Sequence, residues 1–160
     1  MASRDLNMLT PTLKPKAEEW LIRCAKANIL VLITCTARLV KEQLALYSQG
    51  RDDLAHVNYL RARAGMAPIT AQQNTRRVTW TLKSKHLIDL DDGDPGNDKA
   101  RAFDFCILKP DQKPTWDLKV DVDSDDVPDY LEAGQIAESL GLKWGGRWKK
   151  NPDYPHIEEV

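Results

Sequence analysis

The first third of the chain changes from helical to strand-like hydrophobic spacing. Residues 14–29, KPKAEEWLIRCAKANI, place Ala17, Trp20 and Cys24 at helical intervals, which predicts an amphipathic helix. Residues 29–36, ILVLITCT, are continuously apolar and β-branched. This second pattern predicts a strand that is covered on both faces.

Helical spacing returns in the next segment and ends at a glycine. Residues 38–50, RLVKEQLALYSQG, predict a helix that stops near Gly50. Residues 52–65 favour a further short helix. Residues 66–77, MAPITAQQNTRR, follow neither period and are typical of a loop.

Two strand-like segments flank an acidic insert in the middle of the chain. Residues 77–82, RVTWTL, and residues 102–108, AFDFCIL, are rich in β-branched and aromatic side chains. Residues 87–101, LIDLDDGDPGNDKAR, lie between them and predict a loop insert.

The last third predicts one helix followed by short strands or turns. Residues 127–142, VPDYLEAGQIAESLGL, have helical spacing after Pro128 and end near Gly141. LKWGGRW at 142–148 and HIEEV at 156–160 are short enough for strands or turns. Helices packed on a small, partly antiparallel sheet make an α+β fold the expectation.

Length and charge limit the classes of function. A chain of 160 residues fits one domain, 1–160, in which we take residues 1–15 as a leader. Lys+Arg number 23 and Asp+Glu number 24, so there is no global basic field to attract nucleic acid. The basic stretches LRARAG and NTRRVTW are short, and nucleic acid is therefore not an expected partner.

Cysteine placement and hydropathy favour a reducing compartment. Cys24, Cys35 and Cys106 lie in apolar runs without CxxC spacing, which favours buried, reduced thiols. Residues 1–20 lack the apolar core of a signal peptide, and the longest apolar stretch, 27–37, is too short to span a membrane. We therefore expect a protein that is made in a cytoplasm and has no stable membrane association.

Histidine and aspartate residues suggest a hydrolytic metal site. Such a zinc site needs about three protein ligands and one open position. His86 and Asp104 bracket the insert, and His156 near the C-terminus is a third candidate. Asp153, three residues before His156, could accept a proton from water, and the prolines around it favour a turn. Solvated loop residues are the alternative.

Several motifs together resemble a known peptidase family. SKH at 84–86, AFD at 102–104 and DYPH at 153–156 resemble the Ser-x-His, Ala-x-Asp and acid-x-x-His signatures of zinc D-alanyl-D-alanine carboxypeptidase-like peptidases. That family includes phage endolysins that cleave the L-alanyl-D-glutamate bond of peptidoglycan. TCTARLVKEQLALYSQGR at 34–51 and IAESLGLKWGGRWKKNPDYPH at 136–156 are also similar to family segments, and all occur in the expected order.

The resemblance implies roles for individual residues. It implies that His86, Asp104 and His156 bind zinc and that Asp153 is the general base and later the proton donor. It also implies that Arg38 lies in the cleft, where its guanidinium would suit either a peptide carboxylate or the developing oxyanion.

Other residues of these motifs have two interpretations each. Ser84 either orients the zinc loop through a hydrogen bond or caps a turn. Trp144 and Trp148 either line the cleft or belong to the core. His56 matches no motif and is expected on a helix or at the surface.

The spacing of the first two ligands departs from the family. His86 and Asp104 are 18 positions apart, whereas the family holds the equivalent pair much closer together around a short turn. The two side chains can still converge if residues 87–101 loop out from adjacent strand ends, because loop closure entropy rises slowly with length.

An acidic segment before the last predicted helix suggests a second cation. DVDSDD at 121–126 alternates Asp121, Asp123 and Asp125, and oxygen-rich loops suit calcium. The insert 87–101 is similarly acidic, but neither segment has the complete EF-hand pattern. A solvated acidic loop is the alternative in both places.

The resemblance leads to one functional hypothesis and two alternatives. We expect a monomeric zinc metallopeptidase, a phage endolysin that cleaves the L-alanyl-D-glutamate bond of the peptidoglycan stem peptide. We expect it to stay in the host cytoplasm until the membrane is permeabilised. The alternatives are a D-alanyl-D-alanine carboxypeptidase of the same fold, and a non-catalytic module that binds peptidoglycan or is regulated by calcium.

Overall fold

Four α-helices and seven β-strands form the regular structure of residues 2–160 in a computed structural model. The helices are α1 (Leu13–Lys26), α2 (Val40–Ser48), α3 (Leu54–Arg63) and α4 (Asp129–Ser139). The strands are β1 (Val31–Cys35), β2 (Arg38–Leu39), β3 (Leu87–Ile88), β4 (Ala102–Leu108), β5 (Pro114–Thr115), β6 (Leu142–Trp144) and β7 (His156–Glu159).

The strands form one antiparallel sheet and one small parallel pair. The antiparallel sheet has the order β1-β4-β7-β6, and β5 pairs with the end of β4. Strands β2 and β3 form the parallel pair. The α+β fold with a partly antiparallel sheet is confirmed.

The four predicted helices are confirmed, although α1 ends at Lys26, three residues before the predicted limit at residue 29. Gly50 follows α2 and Gly141 follows α4, with φ angles of 74° and 75°. These angles lie in the left-handed region, where glycine avoids the steric cost that a Cβ atom brings. The two glycines therefore end the helices as the sequence predicts.

The central strand β4 separates the core from the site by alternation of its side chains. Phe103 and Phe105 point to one face, where their rings lie 5.3 Å and 4.9 Å from the ring of Trp20 in α1. Trp20 also donates a hydrogen bond from Nε1 to the carbonyl of Ala133 at 2.8 Å, which joins α1 to α4. Asp104, between the two phenylalanines, points to the opposite face.

Strand β1 differs from its prediction. Ile33 and Cys35 are buried, but Leu30 and Leu32 are 43% and 38% exposed. The strand pairs only with β4 at the edge of the sheet, and the exposure of these two leucines shows that one of its faces is open to solvent. The predicted coverage of both faces is wrong.

The predicted strand at 77–82 is also wrong. Side chains, rather than a neighbouring strand, bond to backbone carbonyls of this segment. Gln43 donates from Nε2 to the carbonyl of Thr81 at 2.7 Å. Arg51 donates from Nη2 to the carbonyl of Thr79 at 3.1 Å. The segment belongs to none of the seven strands.

The insert 87–101 is held closed at its base. Its first two residues are strand β3, so the prediction of a loop is wrong there, and the rest contains only a short 3-10 turn. The Arg101 backbone N–H donates to the carbonyl of Lys85 at 2.7 Å. The insert therefore leaves and re-enters the fold at almost the same point.

The described residues also test the cysteine and membrane predictions. Cys24, Cys35 and Cys106 are buried and form no disulfide, as predicted. Within residues 2–160, no helix has the length and apolar character needed to cross a membrane.

Candidate metal centre and active site

Three side chains meet in a tight triangle on the face of the sheet opposite the core. His86 Nε2 lies 3.0 Å from Asp104 Oδ1 and 3.3 Å from His156 Nδ1, and the last two atoms are 3.1 Å apart. Asp104 on β4 and His156 on β7 are register partners. His86 reaches them from the residue just before β3. The structure thus brings together the three residues that the sequence proposes as ligands.

The outer nitrogen of each histidine has an acceptor. His86 donates from Nδ1 to the carbonyl of Thr36 at 2.9 Å, and His156 donates from Nε2 to Glu158 Oε2 at 2.9 Å. We assign the tautomers from these partners. In the neutral rings, the inner nitrogens then direct their lone pairs into the triangle.

This donor set fits a zinc ion. Two imidazole nitrogens and one carboxylate oxygen converge within 3.3 Å, with no proton among them when both rings are neutral. Tetrahedral zinc with bonds of about 2.0–2.2 Å separates its ligand atoms by about 3.3–3.6 Å. The observed separations are close to that range, and the held outer nitrogens match the usual support of zinc-binding histidines.

The electrostatics of the triangle favour positive charge inside it. Burial opposes the charged form of His86, but hydrogen bonds to Asp104 and Cys35 outweigh it and raise the pKa of His86 to about 10. Burial likewise opposes ionisation of Asp104, yet its bonds with His156 and His86 hold the Asp104 pKa far below the usual range. The positive charge can come from a proton or from a metal ion that displaces it.

Glu158 is a supporting residue that the sequence analysis missed. Its Oε1 lies 3.0 Å from Lys85 Nζ, while its Oε2 accepts the bond from His156. Burial opposes ionisation, but the bonds with His156 and Lys85 lower the pKa of Glu158 to about 2. The sequence could have indicated this role, because Glu158 lies two positions after His156 on the same strand, and residues two apart on a strand point to the same face.

Cys35 lies beside the triangle but behind the ring of His86. It is the register partner of Asp104 on β1, and ligand atoms of Cys35, His86 and Asp104 lie within 4.8 Å of one another. Its Sγ is 3.7 Å from His86 Nδ1, the nitrogen that Thr36 already binds. The triangle with His156 therefore offers the better metal centre.

The triangle opens into a cleft of about 650 Å³ that is lined by Arg38 and Asp153 among others. The parallel pair of β2 and β3 holds Arg38 next to His86, with the Arg38 N–H donating to the His86 carbonyl at 2.8 Å. The guanidinium of Arg38 donates to Gln43 Oε1 at 2.8 Å. This arrangement places a fixed cation beside the three donors.

Asp153 lies in the predicted turn before β7. Burial and the nearby charge of Asp104 raise the pKa of Asp153 above its ordinary value. Its carboxylate accepts no hydrogen bond from any of residues 2–160. The group is therefore available to a water molecule or a substrate in the cleft.

Ser84 and the two tryptophans take different positions. Ser84 lines the cleft and accepts a hydrogen bond from the His86 N–H at 3.3 Å, which caps the turn that carries His86. Trp148 lines the cleft, with its ring 5.1 Å from that of His156. Trp144 is 3% exposed and does not line the cleft, so it supports the site from within the core.

Trp144 acts on the turn that precedes β7. Its Nε1 donates to the carbonyl of Tyr154 at 2.8 Å. Its ring packs against Gly134 of α4 so closely that a Cβ atom there would lie 2.1 Å from it.

The third histidine, His56, lies on α3 and is half exposed, which agrees with its predicted position on a helix or at the surface. Its imidazole is beside Asp52.

The acidic segment 121–126 gathers with two acids of α4. Ligand oxygens of Asp121, Asp123 and Asp129 lie within 4.8 Å of one another, as do those of Asp123, Asp125 and Glu132. Burial and neighbouring carboxylates raise the pKa of Asp129 to about 6 and that of Glu132 to about 7, although a bond from Val122 opposes the first shift. The sequence analysis missed these two acids. The acids of the insert 87–101 form no such group with the described residues.

Comparisons of sequence and of structure each found similar proteins. The sequence model of a family described as D-alanyl-D-alanine carboxypeptidase matches residues 99–159. The peptidoglycan L-alanyl-D-glutamate endopeptidase CwlK of Bacillus subtilis is 31% identical over 152 residues, covering 95% of this chain and 74% of the relative. The crystal structure of the Serratia marcescens L-Ala D-Glu endopeptidase ChiX matches with a TM-score of 0.50 and 18% identity, over 100% of this chain and 89% of that one.

Proposed function

The chain belongs to the D-alanyl-D-alanine carboxypeptidase family of metallopeptidases, and from this we propose that it is a zinc-dependent L-alanyl-D-glutamate endopeptidase of peptidoglycan. The observation that carries the proposal is the triangle of His86, Asp104 and His156 at the base of a cleft. The similarity of the chain to CwlK, whose name specifies the bond, supports the choice of substrate.

His86, Asp104 and His156 would hold the zinc ion. A bound zinc ion supplies a Lewis acid for the scissile carbonyl and lowers the pKa of water towards neutrality. Glu158 and the Thr36 carbonyl keep the two imidazoles in the tautomers that present lone pairs to the metal.

Asp153 and Arg38 carry the remaining chemistry. Asp153 accepts the proton of the attacking water and returns it to the departing amine, for which its free carboxylate in the cleft is suited. Arg38 stabilises the negative charge that develops on the carbonyl oxygen, because its guanidinium is held beside the donors by Gln43.

Cationic side chains on the cleft wall can pair with an acidic peptide. Arg38, Lys83 and Lys150 line it and can pair with carboxylates of a stem peptide. Trp80 and Trp148 add apolar surface on the lining. The mixture of cationic and aromatic side chains supports a substrate that carries both carboxylates and aliphatic groups.

D-alanyl-D-alanine carboxypeptidase activity is the second candidate, because the matching family model carries that description. The two reactions share the metal and Asp153 and differ only in the bond presented to them. The alternative of a non-catalytic module is set aside, because the chain belongs to an enzyme family and its three donors converge.

Digestion of purified peptidoglycan tests the proposal. Mass spectrometry should find new L-alanine C-termini and D-glutamate N-termini after treatment with the wild type, and none after treatment with Asp153→Asn. Asp111→Asn, which changes an exposed aspartate, is the matched control and should cleave normally. Release of free D-alanine alone would favour the second candidate, and intact peptidoglycan would contradict both.

The role in phage lysis stays a prediction. In this role the enzyme would accumulate in the host cytoplasm without harm until the inner membrane is opened. Expression in a Gram-negative host with and without a membrane-permeabilising protein tests this, since lysis should need both proteins. Lysis by the peptidase alone would contradict it.

A further inference from the structure

An exposed tryptophan stands on the wall of the cleft, outside the hydrophobic core. Trp80 is 69% exposed and lines the same cleft as the metal triangle. It belongs to the segment 77–82, which is part of none of the seven strands. A single exposed apolar side chain needs no explanation by itself. The backbone around Trp80, however, is fixed in a way that the core does not require.

The residues on either side of Trp80 are bound to the region of α2. Gln43 donates from Nε2 to Thr79 Oγ1 at 3.0 Å and to the Thr81 carbonyl at 2.7 Å. Arg51, after the end of α2, donates from Nη2 to the Thr79 carbonyl at 3.1 Å. Gln43 is buried, so breaking its two bonds would leave an amide without partners in the interior. The position of Trp80 is therefore held from both sides.

The start of the segment is fixed by close packing. A Cβ atom at Gly50 would lie 2.7 Å from the Arg76 carbonyl carbon and from Arg77 N, so the chain passes directly against the Gly50 backbone. The Arg77 guanidinium lies 6.0 Å from the centroid of the Trp80 ring. These contacts and the bonds to α2 present the indole to the cleft in one place. Such pre-organisation lowers the entropic cost of binding a ligand.

The substrate brings a ring close to this wall. When the carbonyl of L-alanine lies at the metal, the nitrogen of the same alanine is joined through a lactyl group to N-acetylmuramic acid. Because an extended residue spans about 3.3–3.6 Å, this sugar lies within roughly 10 Å of the scissile carbonyl. The cleft of about 650 Å³ has the size of a site that takes more of a ligand than one peptide bond.

We propose, on the basis of the endopeptidase function, that Trp80 binds the N-acetylmuramic acid ring and makes the enzyme prefer stem peptides that are attached to glycan. One face of a pyranose ring carries C–H groups that can cover an indole, whereas the methyl group of an alanine would leave most of the indole exposed. The cationic side chains of the cleft wall then serve the carboxylates of the peptide.

Two substrates that share the peptide and differ in the sugar test this subsite. One is the peptidoglycan disaccharide that carries the stem tripeptide, and the other is the same tripeptide with an acetyl group on the L-alanine nitrogen. The zinc-loaded wild type should cleave the glycan-linked peptide with a kcat/KM at least about tenfold higher, mainly through a lower KM. Trp80→Ala should remove most of this preference. Trp80→Phe should keep part of it, because the smaller ring still offers an aromatic face.

Trp116→Ala is the matched control, because Trp116 is 59% exposed and lies outside the cleft lining. It should show the wild-type preference. Equal kcat/KM of the wild type for the two substrates would overturn the proposal. An unchanged preference in Trp80→Ala would overturn it as well, because Trp80 would then contact only the peptide or no part of the substrate. If Trp80→Ala fails to fold, the wild type and Trp80→Phe decide the question.

Calorimetry separates the sugar subsite from the proposed reaction. Zinc-loaded Asp153→Asn should bind the glycan-linked peptide at least about tenfold more tightly than the acetylated peptide, and addition of Trp80→Ala should remove the difference. Tighter binding of the glycan-linked peptide without cleavage by the wild type would contradict the endopeptidase function and leave the subsite standing. Equal binding of the two peptides, or no binding of either, would overturn the subsite whether or not the wild type cleaves them.

Discussion

Asp104 and His156 stand directly opposite each other on β4 and β7, and Asp104 Oδ1 lies 3.1 Å from His156 Nδ1. The register of the antiparallel sheet therefore sets two corners of the triangle. The third corner, His86, is fixed because the Lys85 carbonyl accepts the Arg101 N–H and closes the insert. A long insert can thus separate His86 from Asp104 in sequence without separating them in space.

Asp153→Asn should greatly slow turnover and retain the metal. The amide keeps the size of the side chain but cannot accept the water proton, so kcat should fall by about 10²–10⁴-fold. Peptidoglycan hydrolysis and elemental analysis of the same preparation measure both quantities. Near-normal activity of the variant would show that another group is the base.

Glu158→Gln should weaken zinc binding rather than destroy the fold. The carboxylate that accepts the His156 Nε2 proton is replaced by an amide, so the histidine becomes a poorer ligand. A loss of about 10–100-fold in zinc affinity is expected, measured by competition with a chromophoric chelator. Glu138→Gln, which alters a surface pair with Arg147, should leave zinc affinity unchanged. Equal affinity in both variants would remove the supporting role of Glu158.

Glu159 should make stability dependent on pH in the acid range. Burial opposes its ionisation, but hydrogen bonds from Arg101, Thr10 and Thr12 outweigh this and lower the pKa of Glu159. The unfolded chain therefore binds this proton more readily, with an ordinary value of 4.5. The stabilisation is complete above that pH and is lost as the pH falls below it.

The measurement is urea unfolding of the wild type and Glu159→Gln. At pH 7 the variant should be less stable by about 1–2 kcal/mol, and the difference should shrink below about pH 4.5. Glu18→Gln, which alters an exposed helical pair, should change the free energy of unfolding by less than about 0.5 kcal/mol. A difference for Glu159→Gln that grows on acidification would contradict the assigned sign.

Gly134→Ala should destabilise the protein, although alanine usually favours a helix. A Cβ atom at position 134 would lie 2.1 Å from the Trp144 ring, so the ring or α4 must move. The expected loss is about 1–3 kcal/mol. Thermal unfolding of Gly134→Ala, Trp144→Ala and the double variant should show that the two changes are not additive. Additive effects, or a stabilised Gly134→Ala, would contradict the close contact.

The parts of the fold that depend on local pattern were predictable from the sequence. The helices followed from hydrophobic spacing and from the glycines after them, and β4 followed from its apolar run. The exposure of Leu30 and Leu32 did not, because it depends on which elements pack against each face of β1. The segment 77–82 was misjudged because side chains of Gln43 and Arg51 replace a strand partner.

In the candidate site, too, motif residues were predictable from the sequence, whereas contacts that depend on packing were not. Motif residues such as His86 and His156 could be named from the sequence, because the resemblance supplied their order. Cys35 lies next to His86 through sheet register, and Asp129 joins the acidic segment through the packing of α4. Such contacts depend on the tertiary structure, so the sequence alone could not identify them.

Zinc stoichiometry of the purified chain decides whether His86, Asp104 and His156 bind a metal ion. Elemental analysis should find one zinc ion per wild-type chain and per His56→Ala chain, because His56 lies on α3 away from the triangle. His156→Ala should contain almost none while keeping its circular dichroism spectrum. Absence of zinc from the wild type after growth with added zinc, or full zinc content in His156→Ala, would show that the triangle is not the zinc site.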